Sequence, residues 1–412
     1  MTDMNSADGQ KQTLRLLQVL EPSGGGSGRH FIDLCAGLGR SGHEVTAVFS
    51  PLRAEARFID ELYGLGLKRV VPLAMRRAVG PWDLAGFHRL RQVIRREGPF
   101  DLVHGHSSKA GALTRLNRPF TKTPVIYTPH AFRTMDPTLG QRGRLLFGTV
   151  EQGLGRFASD RIICVSGDEY DHALSLGISP EKLRIVVNGV ACPPMDNRAA
   201  LRAALGLRAD DILFGFVGRL VPQKAPERLI EAFSPVSQAM PQAHLMMIGR
   251  GELEPKLRAM IAEKGLSHRV FLRNDIAGHD AIQAFDALVA PSRYEAMSYV
   301  MLEAAAAGLP LILTRVGGAS TVLDHDVNGC LVPNTDDPAP LSRAMLRLGD
   351  PLIRAALTAG ALARRHGYQL DSMVRQTLAV YSEVLPSYTA PREADNRIDP
   401  DVHDITRRIA AG

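Results

Sequence analysis

The sequence lacks the long apolar runs and the paired cysteines that mark several classes of protein. None of its 412 residues lies in an apolar run that reaches the roughly 18 residues of a membrane-spanning helix. The N-terminal residues also lack the apolar core of a signal peptide. Four cysteines stand far apart and form no CxxC pair, which indicates reduced thiols: Cys35, Cys164, Cys192 and Cys330. We therefore expect a cytoplasmic protein.

Several common catalytic motifs are missing as well. There is no GxSxG elbow, no GxxxxGK[ST] phosphate loop and no HExxH metal site. The glycines after the first predicted strand do not fit GxGxxG, because Arg29 occupies the last position, and the second strand ends without an acidic residue. A dehydrogenase is therefore disfavoured. D-x-D triplets occur at 324–326 and 399–401, but such triplets are common by chance, and we predict no metal site.

What is present is the composition of a globular α/β protein with more than one domain. Hydrophobic residues make up 45% and charged residues 22% of the chain, and its length predicts two domains of roughly 150 to 200 residues. Short β-rich runs alternate with amphipathic helices twice, which predicts two doubly wound parallel sheets. The predicted elements include a glycine-rich loop at 21–28, helices from Ala110 and at Pro226–Phe233, and strands at Ile212–Val217, Ala287–Ala290 and Leu311–Thr314. The predicted segments are a disordered N-terminus (1–12), a first Rossmann-like domain (13–188), a second (189–370), a C-terminal helix packing back toward the first (371–386) and a flexible tail (387–412).

Positive charge is concentrated in the N-terminal half. Residues 1–190 contain 25 basic and 18 acidic residues, whereas residues 191–412 contain 24 and 25. Six arginines surround a predicted helix near residues 83–97: Arg76, Arg77, Arg89, Arg91, Arg95 and Arg96. That helix either packs on a sheet with a solvated basic face or rests on an anionic membrane. Nucleic acid is disfavoured, because no recognition motif accompanies the charge.

Two glutamates lie in the stretch 291–310. Glu295 falls in a loop after a predicted strand, and Glu303 lies inside the following helix, which is apolar on every side and is expected to be buried. A buried carboxylate needs hydrogen-bond donors. Either ligand hydroxyls supply them, or Glu303 forms a structural salt bridge with an arginine.

Other polar residues follow predicted strands, at the edge of a parallel sheet where ligands bind. Gly25 and Gly26 follow the first strand and would let backbone amides approach a phosphate. His130 follows the strand V-I-Y-T, and it is either a local loop residue or part of the site. Arg219 and Lys224 follow the strand I-L-F-G-F-V, where two cations would stabilise a diphosphate leaving group, unless they form only a solvated basic turn.

In its order of motifs the chain resembles the retaining glycosyltransferases of family 4. The resemblance covers nearly all of residues 13–386, and its pieces are G-G-G-S-G, S-G-H-E-V, T-P-H-A-F, I-I-C-V-S, V-V-N-G-V, G-R-L-V-P-Q-K, I-G-R-G, the E-x7-E segment and G-L-P-L-I-L-T. D-L-V-H-G-H-S-S-K-A-G and T-P-H-A-F look most like bacterial members that build exopolysaccharides or lipid-linked glycans. The resemblance implies the GT-B fold, with two facing Rossmann-like domains and a deep cleft between them. The first domain would then bind the acceptor and the second the nucleotide sugar.

The resemblance also implies a role for each site residue. Glu303 would bind the donor ribose, and Glu295 the transferred sugar. Arg219 and Lys224 would bind the diphosphate, and His130 would lie near the anomeric carbon. The implied catalytic residues are His130, Arg219, Lys224 and Glu295. The implied donor-binding residues are Gly25, Gly26, Arg219, Lys224, Glu295, Ala296, Met297, Ser298 and Glu303.

Two departures from the family pattern bear on the donor. Ala296, Met297 and Ser298 stand where many members have Gly or Pro, an aromatic residue and Gly, and Arg250 stands where an acidic residue is usual. We expect the segment after Glu295 to decide the choice of donor.

The resemblance therefore implies a retaining, metal-independent hexosyltransferase without a cofactor. It would transfer a hexose or N-acetylhexosamine from a UDP- or GDP-sugar to a lipid-linked or oligosaccharide acceptor in bacterial surface or exopolysaccharide biosynthesis. It would lie in the cytoplasm, where it could contact the inner face of the cell membrane. Two alternatives stay open: a non-catalytic nucleotide-sugar-binding scaffold of a polysaccharide assembly complex, and a nucleotide-sugar epimerase.

Overall fold

The computed structural model describes residues 12–136, 139–191, 197–295 and 297–390, which divide into two α/β units. The first unit contains residues 12–136, 139–164, 169–186 and 374–390 of these, and the second contains 165–168, 187–191, 197–295 and 297–373. Among the described residues, none of the helices combines the length and the apolar character that crossing a membrane requires.

The first unit is built on a seven-stranded parallel sheet with the strand order 3-2-1-4-5-6-7. Its strands are β1 (Arg15–Leu20), β2 (Glu44–Phe49), β3 (Arg69–Pro72), β4 (Leu102–His106), β5 (Val125–Thr128), β6 (Arg161–Cys164) and β7 (Leu183–Ile185). The helices up to this point are α1 (Gly25–Arg40), α2 (Ala56–Gly64), α3 (Trp82–Glu97), α4 (Ser107–Thr121), α5 (Gln141–Ala158) and α6 (Gly167–Ser175). In register, Leu20 pairs with His106 and His106 with Thr128, so these strand ends are level.

The second unit has a six-stranded sheet in which the order 3-2-1-4-5-6 recurs. Its strands are β8 (Ile212–Val217), β9 (Ala243–Ile248), β10 (Val270–Arg273), β11 (Ala287–Ala290), β12 (Leu311–Thr314) and β13 (Gly329–Val332). The remaining helices are α7 (Arg198–Ala204), α8 (Pro226–Ala239), α9 (Glu254–Glu263), α10 (Gly278–Ala281), α11 (Tyr299–Ala306), α12 (Ala319–Val322), α13 (Ala339–Arg347), α14 (Pro351–Arg364) and α15 (Leu370–Ser382). From Val374 onward α15 belongs to the first unit. Short 3₁₀ turns lie at Pro51–Arg53, Arg133–Met135, Pro180–Lys182, Ile282–Ala284 and Arg365–Tyr368.

Both faces of the second sheet are covered by apolar cores. Along β8, Phe214 and Phe216 point into one core and Leu213 into the other, as the two-residue period of a strand requires.

The first residue of a helix is determined in part by the capping residues before it. At α14, the Asp350 side chain accepts hydrogen bonds from the first-turn amides, and Pro351 occupies the first helical position.

The two doubly wound parallel sheets confirm the predicted fold class, but several local predictions were wrong. Helix α4 begins at Ser107 rather than Ala110, so His106 ends β4 and the polar residues after it lie in the first helical turn. Helix α1 likewise begins at Gly25, inside the predicted glycine loop. Strand β3 was missed, because its short R-V-V-P sequence lies at the sheet edge and is only half-buried. The predicted disordered N-terminus and flexible tail fall almost entirely outside the described residues.

Candidate active site

The loop between β8 and α8 carries both predicted cations. Its backbone is fixed by the Leu220 amide, which donates to the Arg250 carbonyl at 2.9 Å, and by the Gly218 amide, which donates to the Ile248 carbonyl at 3.0 Å. A Cβ at Gly249 would lie 1.9 Å from the Gly218 carbonyl oxygen, so only glycine permits this approach. The I-G-R-G sequence therefore fixes the backbone from which the exposed Arg219 side chain projects.

Lys224, at the end of this loop, meets Glu295. Its Nζ donates to Glu295 Oε1 at 2.5 Å, and the two side chains are only 17% and 7% exposed. Arg219 lies further out, where its Nη2 contacts Gln223 Oε1 at 3.4 Å, and Gln223 in turn donates to the Tyr294 carbonyl at 3.1 Å. The structure thus brings Arg219, Lys224 and Glu295 together, which places two cations and a carboxylate after neighbouring strands.

Two arginines that the sequence analysis missed support the loop after β11. The largely buried Arg228 donates to Asp336 Oδ1 and to the Pro291 carbonyl. Arg293 donates to Glu227 at 2.8 Å and also reaches Asp336. An arginine on the apolar face of the predicted helix at 226–233 is the signal that would have indicated Arg228, because a buried arginine needs a partner.

The segment after Glu295 leads into α11. Ala296, one of the predicted donor-selecting residues, lies outside the described residues, whereas Met297 is half-buried and Ser298 is buried just before the helix begins. Glu303 is half-buried rather than fully buried, because α11 is covered mainly on the side of Met301, Leu302 and the alanines. The prediction of a buried helix is confirmed for most of α11, but Glu303 itself is less buried than expected.

In the first unit, Gly25 and Gly26 form the start of α1. Gly25 has φ of +60°, and its amide donates to Glu55 Oε1 at 3.3 Å. Glu55 is exposed, so this amide has an acidic partner that could be displaced by another anion.

His130 lies in a strained turn after β5. Both His130 and Ala131 have positive φ, of 53° and 75°, a conformation that costs non-glycine residues about 1–3 kcal/mol each. The buried Glu169 accepts a hydrogen bond from the Ala131 amide and holds this turn. Strain that the surroundings maintain in this way is typical of functional positions. Glu169 was missed in the sequence, where it is one of two adjacent acids in S-G-D-E.

His130 belongs to a cluster of buried rings. The His130 ring centre lies 4.5 Å from that of His30 and 5.5 Å from that of His106, and His104 lies 4.0 Å from His106. Burial, followed by the neighbouring imidazoles, holds the pKa of His104, His106 and His130 well below the usual histidine value. These rings are therefore neutral hydrogen-bonding groups at neutral pH.

Three of these histidines form the group best suited to hold a metal ion among the described residues. Ring nitrogens of His30, His106 and His130 lie within 4.8 Å of one another. Nitrogen ligands around a tetrahedral zinc ion lie about 3.4 Å apart. His106 Nδ1 and His130 Nε2 lie 3.3 Å apart, a distance that a hydrogen bond between two neutral rings also explains.

The other candidate groups have structural partners. In the triplet 324–326, Asp324 pairs with Arg364 and Asp326 with Arg347, and the second triplet lies outside the described residues. Cys35, Cys164 and Cys330 are buried free thiols, and Cys192 is not among the described residues.

Comparison with known proteins identifies the family. Residues 24–192 match the family described as Glycosyltransferase Family 4, and residues 211–350 match Glycosyl transferases group 1. The D-inositol 3-phosphate glycosyltransferase of Mycobacteroides abscessus is 31% identical over 322 residues, which is 73% of this chain and 70% of that protein. The chain belongs to glycosyltransferase family 4. Another relative of this glycosyltransferase is the Escherichia coli UDP-Gal:alpha-D-GlcNAc-diphosphoundecaprenol alpha-1,3-galactosyltransferase, 29% identical over 65% of this chain and 71% of that protein.

Solved structures show that this family 4 glycosyltransferase has the GT-B fold. Anabaena HepE in complex with UDP has a TM-score of 0.74 and 21% identity, and the match covers 90% of this chain and 100% of that one. The lipopolysaccharide outer core galactosyltransferase WaaB has a TM-score of 0.66 and 16% identity, covering 90% and 100%. The predicted family and fold are confirmed.

Proposed function

We propose that this glycosyltransferase transfers a hexose or N-acetylhexosamine from a UDP- or GDP-sugar to a lipid-linked or oligosaccharide acceptor. The reaction retains the anomeric configuration, requires no metal and serves bacterial surface or exopolysaccharide biosynthesis. The observation that carries the proposal is the pairing of Lys224 with Glu295 beside Arg219, because a diphosphate and a sugar together need both kinds of charge.

Names of similar proteins support the choice of substrates. The E. coli relative is named for a UDP-galactose donor and a diphosphoundecaprenol-linked acceptor. HepE has been solved with UDP, with UDP and glucose, and with UDP-glucose. A UDP-sugar donor and a lipid-linked acceptor are therefore the first to test.

The proposed mechanism assigns the developing charge to the two cations. As the bond between the sugar and the diphosphate breaks, negative charge grows on the departing phosphate, and Arg219 and Lys224 stabilise it more in the transition state than in the bound donor. The phosphate then helps to deprotonate the acceptor hydroxyl, which attacks from the same face.

The remaining residues position the donor. Glu295 binds hydroxyls of the transferred sugar and keeps Lys224 oriented, while Glu303 accepts hydrogen bonds from the ribose. Gly25 and Gly26 contact the phosphates, and His130 lies by the anomeric carbon. Ala296, Met297 and Ser298 follow Glu295 in the sequence, so this segment contributes to the choice of sugar.

Thermal-shift measurements against UDP-, GDP- and ADP-sugars test the donor. A donor that binds only the folded protein raises its melting temperature, and we expect a UDP- or GDP-sugar to do so. Glu303→Gln should weaken donor binding, whereas Glu263→Gln, at the exposed end of α9, should not. Equal donor affinity in both variants would contradict the role of Glu303.

Product analysis tests the reaction. An α-linked donor should give an α-linked product by NMR, with the same rate in EDTA. An inverted product would overturn the retaining mechanism, and loss of activity in EDTA that added metal restores would overturn metal independence.

A peripheral contact with the cytoplasmic membrane surface is part of the proposal. Support comes from exposed arginines on α3, which buries Gly86, Leu90 and Ile94 against its own unit. The same helix is therefore a layer helix, and its basic side is open to an anionic surface.

A further inference from the structure

A chain of polar side chains inside the first unit links the C-terminal helix α15 to His130. Tyr381 Oη lies 3.0 Å from Gln18 Nε2 and 2.8 Å from His104 Nδ1. Gln18 Oε1 lies 2.9 Å from His106 Nε2, and His106 Nδ1 lies 3.3 Å from His130 Nε2. All of these side chains are buried except His130, which is half-buried.

The orientation of the Gln18 amide determines every proton on one side of this chain. Gln18 Nε2 donates to Tyr381 Oη, so the single proton of Tyr381 is left for His104 Nδ1. The proton of His104 then lies on Nε2, which donates to Thr128 Oγ1 at 2.8 Å. Each donor on this branch meets one acceptor.

The other branch runs from Gln18 to His130. Gln18 Oε1 can only accept, so His106 carries its proton on Nε2. In a neutral ring, His106 Nδ1 is then an acceptor, and the hydrogen bond to His130 must come from His130 Nε2–H. His130 Nδ1 is left with a lone pair.

We propose that Tyr381 and Gln18 are positioning residues that hold His130 as its Nε2–H tautomer, so that His130 Nδ1 accepts a hydrogen bond from a substrate hydroxyl. The proposal rests on the proposed function, because it assumes that His130 meets the substrate. Rotating the Gln18 amide by half a turn would reverse every bond and turn His130 Nδ1 into a donor. The orientation of the Gln18 amide therefore decides which nitrogen of His106 and of His130 carries the proton, and the hydrogen bond to Tyr381 holds the amide in that orientation.

Packing alone does not account for these residues. Tyr381 and Gln18 are each fully buried, and phenylalanine or methionine would fill similar volumes without requiring hydrogen-bond partners. Imidazole tautomers in proteins are fixed by the hydrogen bond at the other ring nitrogen. His130 forms that hydrogen bond with His106, which is bonded to Gln18, and Gln18 is in turn bonded to Tyr381 on α15.

Long-range ¹H–¹⁵N correlation spectra of histidine-labelled protein test the tautomers directly. His43 is an internal reference, because its Nδ1 accepts from the Leu14 amide at 3.2 Å and its proton must lie on Nε2. We expect His106 and His130 in wild type to show the same Nε2–H pattern. A wild-type His130 protonated on Nδ1 would overturn the proposal.

Tyr381→Phe removes the group that orients Gln18 while retaining the ring. We expect Nδ1–H signals of His106 and His130 to appear and turnover to fall about tenfold, with a smaller change in the donor KM, since one oriented hydrogen bond is lost. Gln18→Met should give the same spectral change. Unchanged tautomers in both folded variants would overturn the proposal.

Tyr388→Phe is the matched control. Tyr388 Oη lies 3.3 Å from His43 Nε2 on the same terminal segment, so the variant also removes a tyrosine–histidine hydrogen bond, but outside the chain to His130. Its His130 tautomer and turnover should match wild type. If Tyr381→Phe changes the tautomer while His130→Ala retains full turnover, the proposed role of His130 fails and the positioning of its proton stands.

Discussion

The carboxyl ends of the two sheets carry opposite kinds of polar chemistry. In the first unit, β4 and β5 lead into buried neutral rings, an amide and hydroxyl groups. In the second unit, the loops after β8 and β11 carry an ion pair between Lys224 and Glu295 and two arginines on Asp336. The same strand order therefore supports a cluster of neutral hydrogen bonds in one unit and a cluster of ion pairs in the other.

The difference follows from burial. Charged groups in the first site would have to be removed from water without a counter-charge, so imidazoles there stay neutral. In the second site, Asp336 is exposed, and the largely buried Lys224 and Glu295 neutralise each other, so each charge has a counter-charge. Under the proposed function, the neutral site would position hydroxyls and the charged site would accommodate the diphosphate.

The largest effect is expected where the first unit does bury charge. Arg115 is fully buried, donates to Glu151 at 2.8 Å and stacks on Tyr127 at 3.8 Å. Glu151→Ala leaves this arginine unpaired, and we expect the free energy of unfolding to fall by about 3–5 kcal/mol in urea titrations. Glu231→Ala, which removes an exposed partner of Lys264, should cost less than about 1 kcal/mol. Similar losses in the two variants would mean that burial does not decide the value of an ion pair here.

Lys224→Ala separates function from stability in the second unit. Because Lys224 is assigned to the charge on the departing diphosphate, turnover should fall about 10²- to 10³-fold. Its unfolding free energy should fall less than that of Glu151→Ala, since the carboxylate left behind, Glu295, is 7% exposed whereas Arg115 is fully buried. Lys256→Ala, on the exposed side of α9, is the control and should retain wild-type turnover. Wild-type turnover in Lys224→Ala would contradict the assignment of Lys224 to the charge on the departing diphosphate.

The alternation of apolar strands and amphipathic helices was sufficient to predict both sheets apart from the edge strand β3. Ile212–Val217, Ala287–Ala290 and Leu311–Thr314 were predicted with their observed ends, because buried parallel strands are continuous apolar runs. The start of α4 was not predictable in this way. Its first turn is S-S-K, which has no helical periodicity, and Ser107 enters it with positive φ.

The charged site was easier to predict than the neutral one. Arg219, Lys224 and Glu295 lie within short motifs, so their meeting follows from the adjacency of two strands. Gln18 and Tyr381 are 363 residues apart, and each is an unremarkable member of an apolar stretch. Only the packing of α15 brings them together, which a local sequence pattern does not encode.

Acid should destabilise the neutral site. The pKa values of His104, His106 and His130 are lowered from the usual 6.5, so below that pH the unfolded chain binds protons that the folded chain does not. Their contribution to stability is therefore complete above pH 6.5 and is lost as the pH falls, by up to about 1.4 kcal/mol per pH unit for each ring. Urea titrations at several pH values measure this slope.

His104→Gln should reduce the pH dependence of the free energy of unfolding by the contribution of one histidine ring. His88→Gln, which replaces an exposed histidine of α3, should leave it unchanged. An identical slope in wild type and His104→Gln would show that other groups cause the acid sensitivity.

The smallest effect concerns the surfaces of the two units. Arg95 is exposed on α3 in the first unit, and Arg343 is exposed on α13 in the second. If the basic excess of the first unit contacts anionic lipid, Arg95→Gln should weaken binding to phosphatidylserine vesicles at low salt by about fivefold, because one basic side chain near such a surface contributes about 1 kcal/mol. Arg343→Gln removes the same charge from the second unit and should have no effect in co-sedimentation. Equal losses in the two variants would mean that net charge attracts the vesicles, and that neither unit has a specific membrane-facing side.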